Sequence, residues 1–243
     1  MNQKIHLSIN TGEIIDLYGL SIIEDNYHIF FLYKENNGNK MWGHFDTKDF
    51  IEYSFSCGKA DIVNYKTGNT HYFANTRGET LMLELIKSPE KAGKTFLSLP
   101  RNVFIDDEIL YKTPYNMLHE LREYKRSVTL YPGESADTFG SVFEAILEFN
   151  ENSYSIGLRN NISITCEDGN FTITHNNLTQ SFETSDFRKV HIFSDSVSLE
   201  IFAGGNAVSF PAEYNEKGTF TVLNGQCRAE IYKLKSITIS QKK

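Results

Sequence analysis

Apolar and polar residues alternate along much of this chain, and a period of two is typical of β-strands that bury one face. The clearest example is the stretch Lys189–Phe202, where the alternation runs almost from end to end. Asp195-Ser196 interrupts it, which predicts two strands that meet at a tight turn. Gly204-Gly205-Asn206 predicts another turn immediately afterwards, before the next alternating run.

The C-terminal half of the chain repeats this arrangement at regular spacing. Asp168-Gly169 and Asn224-Gly225 supply turns at residues that tolerate positive φ. About eleven short strands with frequent turns are typical of a two-sheet sandwich. The predicted strands lie near residues 128–131, 140–149, 153–158, 162–166, 170–175, 178–184, 189–194, 197–202, 206–210, 218–223 and 226–240.

Residues 1–100 are also predicted to form short strands, because turn residues separate apolar runs and no helical period is present. The predicted strands are Tyr27–Tyr33, Met41–Phe45, Phe50–Ser56, Asp61–Tyr65, Thr70–Ala74 and Thr80–Ile86.

One helix is predicted, over residues 113–125. Thr113 is a candidate N-cap, and Pro114 suits the first helical position because its missing N–H has no partner to lose there. Leu118 and Leu121 recur at helical spacing. The patterns therefore predict an all-β protein in three parts: a β-sheet domain over residues 1–100, a linker with this helix over 101–126, and a β-sandwich over 127–243.

Composition limits the classes of partner. The formal charge is −7, with a pI near 5.5, and no basic stripe suggests nucleic acid. No apolar run is long enough to span a membrane, and the first residues lack the apolar core of a signal peptide. The three cysteines, Cys57, Cys166 and Cys227, are widely spaced and odd in number, which favours reduced thiols and a cytoplasmic location. No cofactor motif or metal-ligand spacing is present.

Several motifs together resemble glycoside hydrolase family 32, the β-fructosidases. Ile192-Phe193-x-Asp195-x-x-Ser198-x-Glu200-x-Phe202 resembles the signature of the C-terminal sandwich of that family. Leu97-Ser-Leu-Pro-Arg101 and Asp107-x-x-Leu110-Tyr-x-x-Pro114 resemble the junction between its propeller and its sandwich. In the family the signature residues belong to the sandwich, so Asp195, Ser198 and Glu200 are expected to be structural. Glu200 is expected to face a neighbouring strand or solvent.

The N-terminal end resembles the first propeller blade of the family. Asp16-Leu-Tyr-Gly19 matches its Asp-Pro-Asn-Gly motif at the Asp and the Gly, and Trp42-Gly43-His44 follows in the family's order. The resemblance implies that Asp16 is the counterpart of the nucleophile. A competing interpretation is that Asp16 is a retained turn residue that bonds its own backbone.

The remaining catalytic motifs are missing. The Arg-Asp-Pro motif does not occur, and neither does the Glu-Cys motif that supplies the acid/base, because Ser56 precedes Cys57. A five-bladed propeller needs about twenty strands, which takes on the order of 150–200 residues. Only about 100 residues precede the linker, so the resemblance implies an abridged propeller-derived domain followed by the linker helix and the sandwich.

A retaining glycosidase needs two carboxylates about 5–5.5 Å apart. If Asp16 is one of them, no motif selects the other from its N-terminal candidates, which are Glu13, Glu24, Glu52, Asp61, Glu79 and Glu84. Tyr18 and Trp42 are candidates for stacking on a sugar ring, or for filling a small core. His44 is a further candidate for sugar binding, or simply a hydrogen-bonded strand residue. A metal role is not expected for it, because no second His or Cys lies at ligand spacing.

Two functions follow as alternatives. The first is a non-catalytic relative of the β-fructosidases that binds a carbohydrate or a protein partner. The second is a residual glycosidase that acts on β-fructosides, with Asp16 as nucleophile. A third possibility is that the chain is one piece of a split gene. A homodimer is also expected, since a partial propeller leaves open sheet edges and an uncovered face.

Overall fold

The computed structural model of the chain describes residues 4–9, 11–59, 70–73, 78–87, 95–106, 109–159, 161–175, 178–196, 198–212 and 218–241. The chain divides into two compact units: Asn2–Leu121 with Ser236–Lys243, and Arg122–Lys235 with residue 1. Almost all of the regular structure is strand, which confirms the all-β prediction. Within the described residues, no helix is long and apolar enough to cross a bilayer.

The first sheet of the N-terminal unit consists of β1 (Gly12–Ile23), β2 (Asn26–Glu35), β3 (Lys40–Thr47), β4 (Glu52–Lys59) and β22 (Thr238–Gln241), in that order. Strands β1 to β4 form an antiparallel meander. Glu24 and Asp25 join β1 to β2 with φ values of 49° and 65°, the positive pair that a type I′ hairpin turn requires.

One face of this sheet is an aromatic core. Phe31, Phe45 and Phe55 lie on three adjacent strands, and their ring centroids are 5.0 Å apart for Phe31–Phe45 and 5.3 Å apart for Phe45–Phe55. Gly43 lies opposite Phe31 in the register, and a Cβ there would be only 2.2 Å from the Phe31 ring. A glycine is therefore needed for the ring to lie across β3.

The second sheet of this unit consists of β5 (Thr70–Tyr72), β6 (Thr80–Lys87), β8 (Arg101–Asp106) and β9 (Ile109–Pro114), with β7 (Thr95–Leu97) paired to β6. Arg101 is fully buried and forms a 2.6 Å ion pair with Glu84. Strands β8 and β9 lie within the predicted linker, so this segment is part of a sheet and not a link. The predicted strand Asp61–Tyr65 lies outside the described residues.

The predicted helix over 113–125 is wrong in extent and type. Thr113 and Pro114 are the last residues of β9, and only a 3-10 helix, η1 (Asn116–Leu121), follows with Leu118 and Leu121 buried. From Arg122 onward the chain pairs with a strand of the sandwich. Ladder hydrogen bonds in both units override the local helical signal, and Pro is tolerated at the end of an edge strand.

The C-terminal unit is a sandwich of two six-stranded sheets. The sheet orders are β10-β21-β12-β17-β18-β19 and β11-β20-β13-β14-β15-β16. Their bounds are β10 (Arg122–Leu130), β11 (Ser135–Ala136), β12 (Phe143–Phe149), β13 (Ser153–Leu158), β14 (Ile162–Glu167), β15 (Asn170–His175), β16 (Leu178–Glu183), β17 (Lys189–Asp195), β18 (Ser198–Ala203), β19 (Asn206–Pro211), β20 (Phe220–Asn224) and β21 (Cys227–Leu234). The predicted turn Asp168-Gly169 joins β14 and β15 with positive φ at both residues.

The inward-facing residues of both sheets form one apolar core. Phe149 on β12 and Tyr154 on β13 stack across it, with ring centroids 3.7 Å apart and planes 2° apart. Cys166 and Cys227 are free thiols in this core, and burial raises the pKa of Cys227 to about 12. The third free thiol, Cys57, is exposed.

The two units end at positions that differ from the predicted domain limits. The sandwich begins at Arg122, and the predicted strand 226–240 is divided into β21 in the sandwich and β22 in the N-terminal unit. Strand β22 pairs in parallel with β4, a non-local pairing that the sequence pattern does not encode. The described strands of the N-terminal unit form two sheets and no closed ring.

Candidate functional site

Asp16 lies inside β1, half buried, and is not the turn residue of the competing interpretation. The pairing of β1 with β2 shifts register on both sides of it, between Ile14 and Asp16 and between Leu17 and Gly19. Each shift is a β-bulge, an irregularity that re-aims side chains and that is frequent beside functional sites. Tyr18 is the unpaired residue of the second bulge, and its side chain is 38% exposed.

The register brings Asp16 and Trp42 to one face of the sheet. Asp16 pairs with Leu32, Leu32 pairs with Trp42, and Trp42 pairs with Gly58. Residues paired directly across strands point to the same side, and two strand spacings separate the Asp16 and Trp42 Cα atoms by about 10 Å. This face, which we call the Trp42 face, is opposite the aromatic core.

Trp42 is positioned by a glycine on the neighbouring strand. A Cβ at Gly58 would lie 2.6 Å from the indole Nε1 of Trp42, so the indole rests directly on the β4 backbone. The ring is still 39% exposed. An indole that packs on a glycine and remains partly exposed presents an apolar surface to a ligand.

His44 lies two residues beyond Trp42, on the same face, and belongs to a hydrogen-bonded chain. Its Nε2 is 2.8 Å from the Nδ1 of His28, and its Nδ1 is 3.3 Å from the hydroxyl of Ser56. Phe30 stacks on the His44 ring, with centroids 4.6 Å apart. Along the chain, no second His or Cys lies at ligand spacing from His44. The cross-strand pairing of β2 with β3 supplies His28 instead.

His28 and Ser56 are therefore site residues that the sequence reasoning missed. The available signal was the alternation of His28 and Phe30 in β2 with Trp42 and His44 in β3, which places all four on one face once the strands pair. Among the described residues, no group of three or more His, Cys, Asp or Glu side chains is arranged to hold a metal ion.

A retaining glycosidase needs a second carboxylate close to Asp16, and most of the candidates lie elsewhere. Glu84 is bonded to Arg101, Glu24 lies in the β1–β2 turn, and Asp61 is outside the described residues. Glu13 pairs with Lys34, which puts Glu13 on the Trp42 face beside Asp16.

Comparison with protein families shows what this region is similar to. Residues 6–72 match the family model described as the glycosyl hydrolases family 32 N-terminal domain. The N-terminal segment is therefore similar to that domain. The matched segment contains all four candidate site residues and His28, and the resemblance of the N-terminal motifs to this family is thereby confirmed. Among curated proteins, no sequence matches this chain.

Solved structures of family 32 enzymes share the fold of nearly the whole chain. A β-fructofuranosidase from Bombyx mori, in complex with sucrose, has a TM-score of 0.62 at 13% identity, covering 95% of this chain and 68% of that protein. Sucrose-6-phosphate hydrolase from Lactobacillus gasseri has a TM-score of 0.60 at 12% identity, covering 89% and 65%. Fructan 1-exohydrolase IIa from Cichorium intybus has a TM-score of 0.57 at 11% identity, covering 96% and 74%.

The sandwich motif that resembles the family 32 signature is a buried polar cluster. Asp195, Ser198 and Glu200 are all fully buried, so the possibility that Glu200 faces solvent is wrong. Arg159 donates from Nη2 to the hydroxyl of Ser194, at 2.6 Å, and to the backbone carbonyl of Asp195. Burial lowers the pKa of Arg159 to about 10, although Asp195 opposes the shift. These contacts fix the β17–β18 hairpin, which agrees with the structural role expected for the signature.

Proposed function

We propose that this protein is a non-catalytic relative of the β-fructosidases that binds a neutral carbohydrate on the Trp42 face. The observation that carries the proposal is the position of Trp42, whose exposed indole shares a face with Asp16 and His44. An indole stacks on the C–H face of a sugar ring, while a carboxylate and a histidine accept or donate hydrogen bonds to its hydroxyls.

The absent motifs support the loss of hydrolysis. Catalysis by retention requires a second carboxylate about 5–5.5 Å from the nucleophile. No Glu-Cys motif occurs, since Ser56 and not a carboxylate precedes Cys57, and the Ser56 hydroxyl is hydrogen-bonded to His44. Asp16 then serves to bind a sugar hydroxyl and not to attack an anomeric carbon.

The first test is a fluorescence titration, because Trp42 is the only tryptophan. Sucrose, inulin and levan are suitable probes, since the Bombyx mori structure contains sucrose. We expect a saturable change in the emission of Trp42. Calorimetry on Trp42→Ala should show affinity reduced by about tenfold, the equivalent of ~1.4 kcal/mol. Tyr124→Ala, an exposed aromatic of the sandwich, is the control. Absence of binding to any of the three probes would contradict the proposal.

A residual glycosidase is the second candidate, and the register of β1 favours it in one respect. Glu13 and Asp16 lie on the same face, so Glu13 is the carboxylate best placed to act as acid/base. The test is reducing-sugar release from sucrose, sucrose-6-phosphate, inulin and levan by the natural protein, Asp16→Asn and Glu13→Gln. Release that both variants abolish would establish the enzyme. Equal background in all three proteins supports the binding function.

We also propose a homodimer, formed through the β8–β9 hairpin. Phe104, Ile105 and Leu110 are 49%, 73% and 41% exposed, and β9 is the edge strand of its sheet among the described residues. An apolar hairpin with an open edge is a surface that proteins pair or cover. Pairing of β9 with β9 of a second copy about a two-fold axis would close the open edge and cover the apolar side chains.

Light scattering after size exclusion tests the dimer. We expect a dimer for the natural chain and a monomer for Ile105→Lys, with Tyr124→Lys as a control on the sandwich. A monomeric natural chain refutes the proposal. A cytoplasmic location remains a prediction, in keeping with three free thiols of which two are buried.

A further inference from the structure

The outer face of one sandwich sheet carries an unbroken row of small uncharged residues. The row crosses all six strands from β11 to β16, through the directly paired positions Ser135, Thr221, Gly157, Ser163, Thr174 and Thr179. Every position except Gly157 has a hydroxyl group. The opposite face of these strands is the apolar core, so the row faces outward.

A second row runs beside the first and has the same chemistry. It passes through Ser155, Thr165, Thr172 and Ser181, which are paired in turn across β13 to β16. Charged side chains enter only at the next row, where Glu167 pairs with Asn170. The chain carries a formal charge of −7, so two adjacent rows without a charge form a distinct surface, which we call the hydroxyl face.

The hydroxyls of this face are held in position by one another. Ser135 is 2.7 Å from Thr221, Thr172 is 3.0 Å from Ser181, and Thr174 is 3.4 Å from Thr179, in each case between hydroxyl oxygens on neighbouring strands. A hydroxyl that already takes part in one bond is oriented for the next one, so a polar ligand meets groups whose freedom is already reduced.

Gly157 makes a depression in this surface. The depression has a volume of about 450 Å³, and its lining includes Gly157, Arg159, Ser163, Thr221 and Leu223. It lies where the row has no side chain, and Leu223 borders it with an exposed apolar side chain, 54% accessible. The position of a Cβ on Gly157 would be 3.7 Å from Leu223, an ordinary contact, so a larger residue would fill the depression without a clash.

We infer that the depression around Gly157 is a second binding site, and that its ligand is a neutral oligosaccharide. Ser and Thr hydroxyls both donate and accept hydrogen bonds, as sugar hydroxyls do. Arg159 is the one charged residue of the lining, but it is only 5% exposed and its guanidinium donates to the Ser194 hydroxyl and the Asp195 carbonyl within the sandwich, so an ionic ligand meets almost no accessible charge. Leu223 supplies the apolar contact for the C–H side of a sugar ring. The inference rests on the proposed function only for the class of ligand. The site itself is independent of it, because no residue of the depression belongs to the Trp42 face.

The test uses the full chain, labelled with deuterium and ¹⁵N, and nuclear magnetic resonance titrations with inulin-type oligosaccharides, maltooligosaccharides and polygalacturonate. The amides of Gly157, Ser163 and Thr221 report the sandwich site, while the indole N–H of Trp42 reports the other site. We expect saturable shifts at the sandwich amides with at least one neutral probe and none with polygalacturonate. The two sites are thus read separately, and either can fail without the other.

Variants make the assignment specific. Gly157→Val fills the depression and suits a half-buried, outward-facing strand position, and it should weaken sandwich binding by at least about tenfold. Thr221→Val removes one hydroxyl while keeping its shape, and it should weaken binding in the same way if Gly157→Val does not fold. Tyr124→Ala, on the other sheet of the sandwich, should bind as the natural chain does. No shift at the sandwich amides, shifts with polygalacturonate alone, or unchanged affinity in the folded depression variant would each overturn the inference.

Discussion

His28 and His44 lie side by side on adjacent strands, with the Nδ1 of His28 2.8 Å from the Nε2 of His44. The rings are parallel, with planes 6° apart. An N–H···N bond between two imidazoles requires one nitrogen to donate and the other to accept. The pair therefore couples the tautomer of one ring to that of the other and orients His44 beside Trp42. The Trp42 face has a supporting layer of hydrogen bonds that a plain solvent-facing strand does not need.

His44→Phe should destabilise the N-terminal unit by about 1–3 kcal/mol. The ring stack on Phe30 is retained, but His28 and Ser56 each lose the partner that a hydrogen bond supplied. Urea unfolding followed by Trp42 fluorescence measures the change, because the single tryptophan reports this unit. His119→Phe, at a side chain 55% exposed, is the control and should change the free energy of unfolding by less than about 0.5 kcal/mol. Equal effects of the two substitutions would contradict the prediction.

Gly43→Ala and Gly19→Ala form a matched pair in the same sheet. A Cβ at Gly43 would lie 2.2 Å from the fully buried Phe31 ring, whereas a Cβ at Gly19 meets nothing within 4 Å. We expect Gly43→Ala to cost about 1–3 kcal/mol through overpacking. Gly19→Ala should be neutral or stabilising by up to about 1 kcal/mol, because it restricts the unfolded chain. The same urea measurement separates them, and a stable Gly43→Ala would show that Phe31 is not fixed.

Glu144 should make the sandwich sensitive to acid. It is 1% exposed, and Arg122 and His191 donate hydrogen bonds to it. Burial alone raises its pKa, but these two bonds outweigh burial and hold the pKa below its ordinary value. A lowered pKa in the folded state contributes stability above the unfolded pKa of about 4.3, and that stability is lost as the pH falls through the folded value.

Glu144→Gln should therefore lower the stability of the sandwich by about 3 kcal/mol at pH 7, since it removes one partner of a buried ion pair. It should also flatten the decline of the melting temperature below about pH 4. Circular dichroism melts over the pH range 2–7 measure both effects. Glu148→Gln, an exposed residue on the same strand, provides the control. If the melting temperature of Glu144→Gln declined at low pH as that of the natural chain does, Glu144 would be excluded as the source of the acid sensitivity.

Strand β22 should protect the amides of β4 from hydrogen exchange. It covers the outer edge of the first sheet through parallel pairs such as Thr238–Glu52 and Gln241–Phe55. Removal of the chain after Lys235 leaves β4 as an open edge, which increases both exchange and association. Hydrogen exchange should become faster in the amides of β4 and remain unchanged in β21 of the sandwich. Equal exchange of β4 with and without the tail would show that β22 does not contribute to the sheet.

The sandwich is where sequence reasoning succeeded most fully. Its strands alternate between core and surface, as in β13, β14 and β15, and turns such as Asp168-Gly169 adopt the positive φ that their composition predicts. The N-terminal hairpins followed the same rule from Tyr27 onward. The prediction of the helix failed because non-local pairing outweighed the local pattern. Residues 113–125 carry a helical pattern, but pairing with strands distant in the sequence offered more hydrogen bonds than a short isolated helix.

The site shows the same division. Asp16, Trp42 and His44 were identified from motifs, but His28 and Ser56 were not, because they join the site through pairing of β2, β3 and β4. The same holds for the hydroxyl face, whose Ser and Thr residues come from six strands and form rows only after those strands are in register.

The sequence by itself determined the all-β class, most of the strands and turns, and the resemblance to family 32, because alternation and turn chemistry act over a few neighbouring residues. Only the tertiary structure decided that β22 pairs with β4, that His28 is hydrogen-bonded to His44, and that a depression lies at Gly157. Strand register brings together residues that are far apart along the chain, and the free energy that selects it comes from the packing of whole faces, not from any local segment.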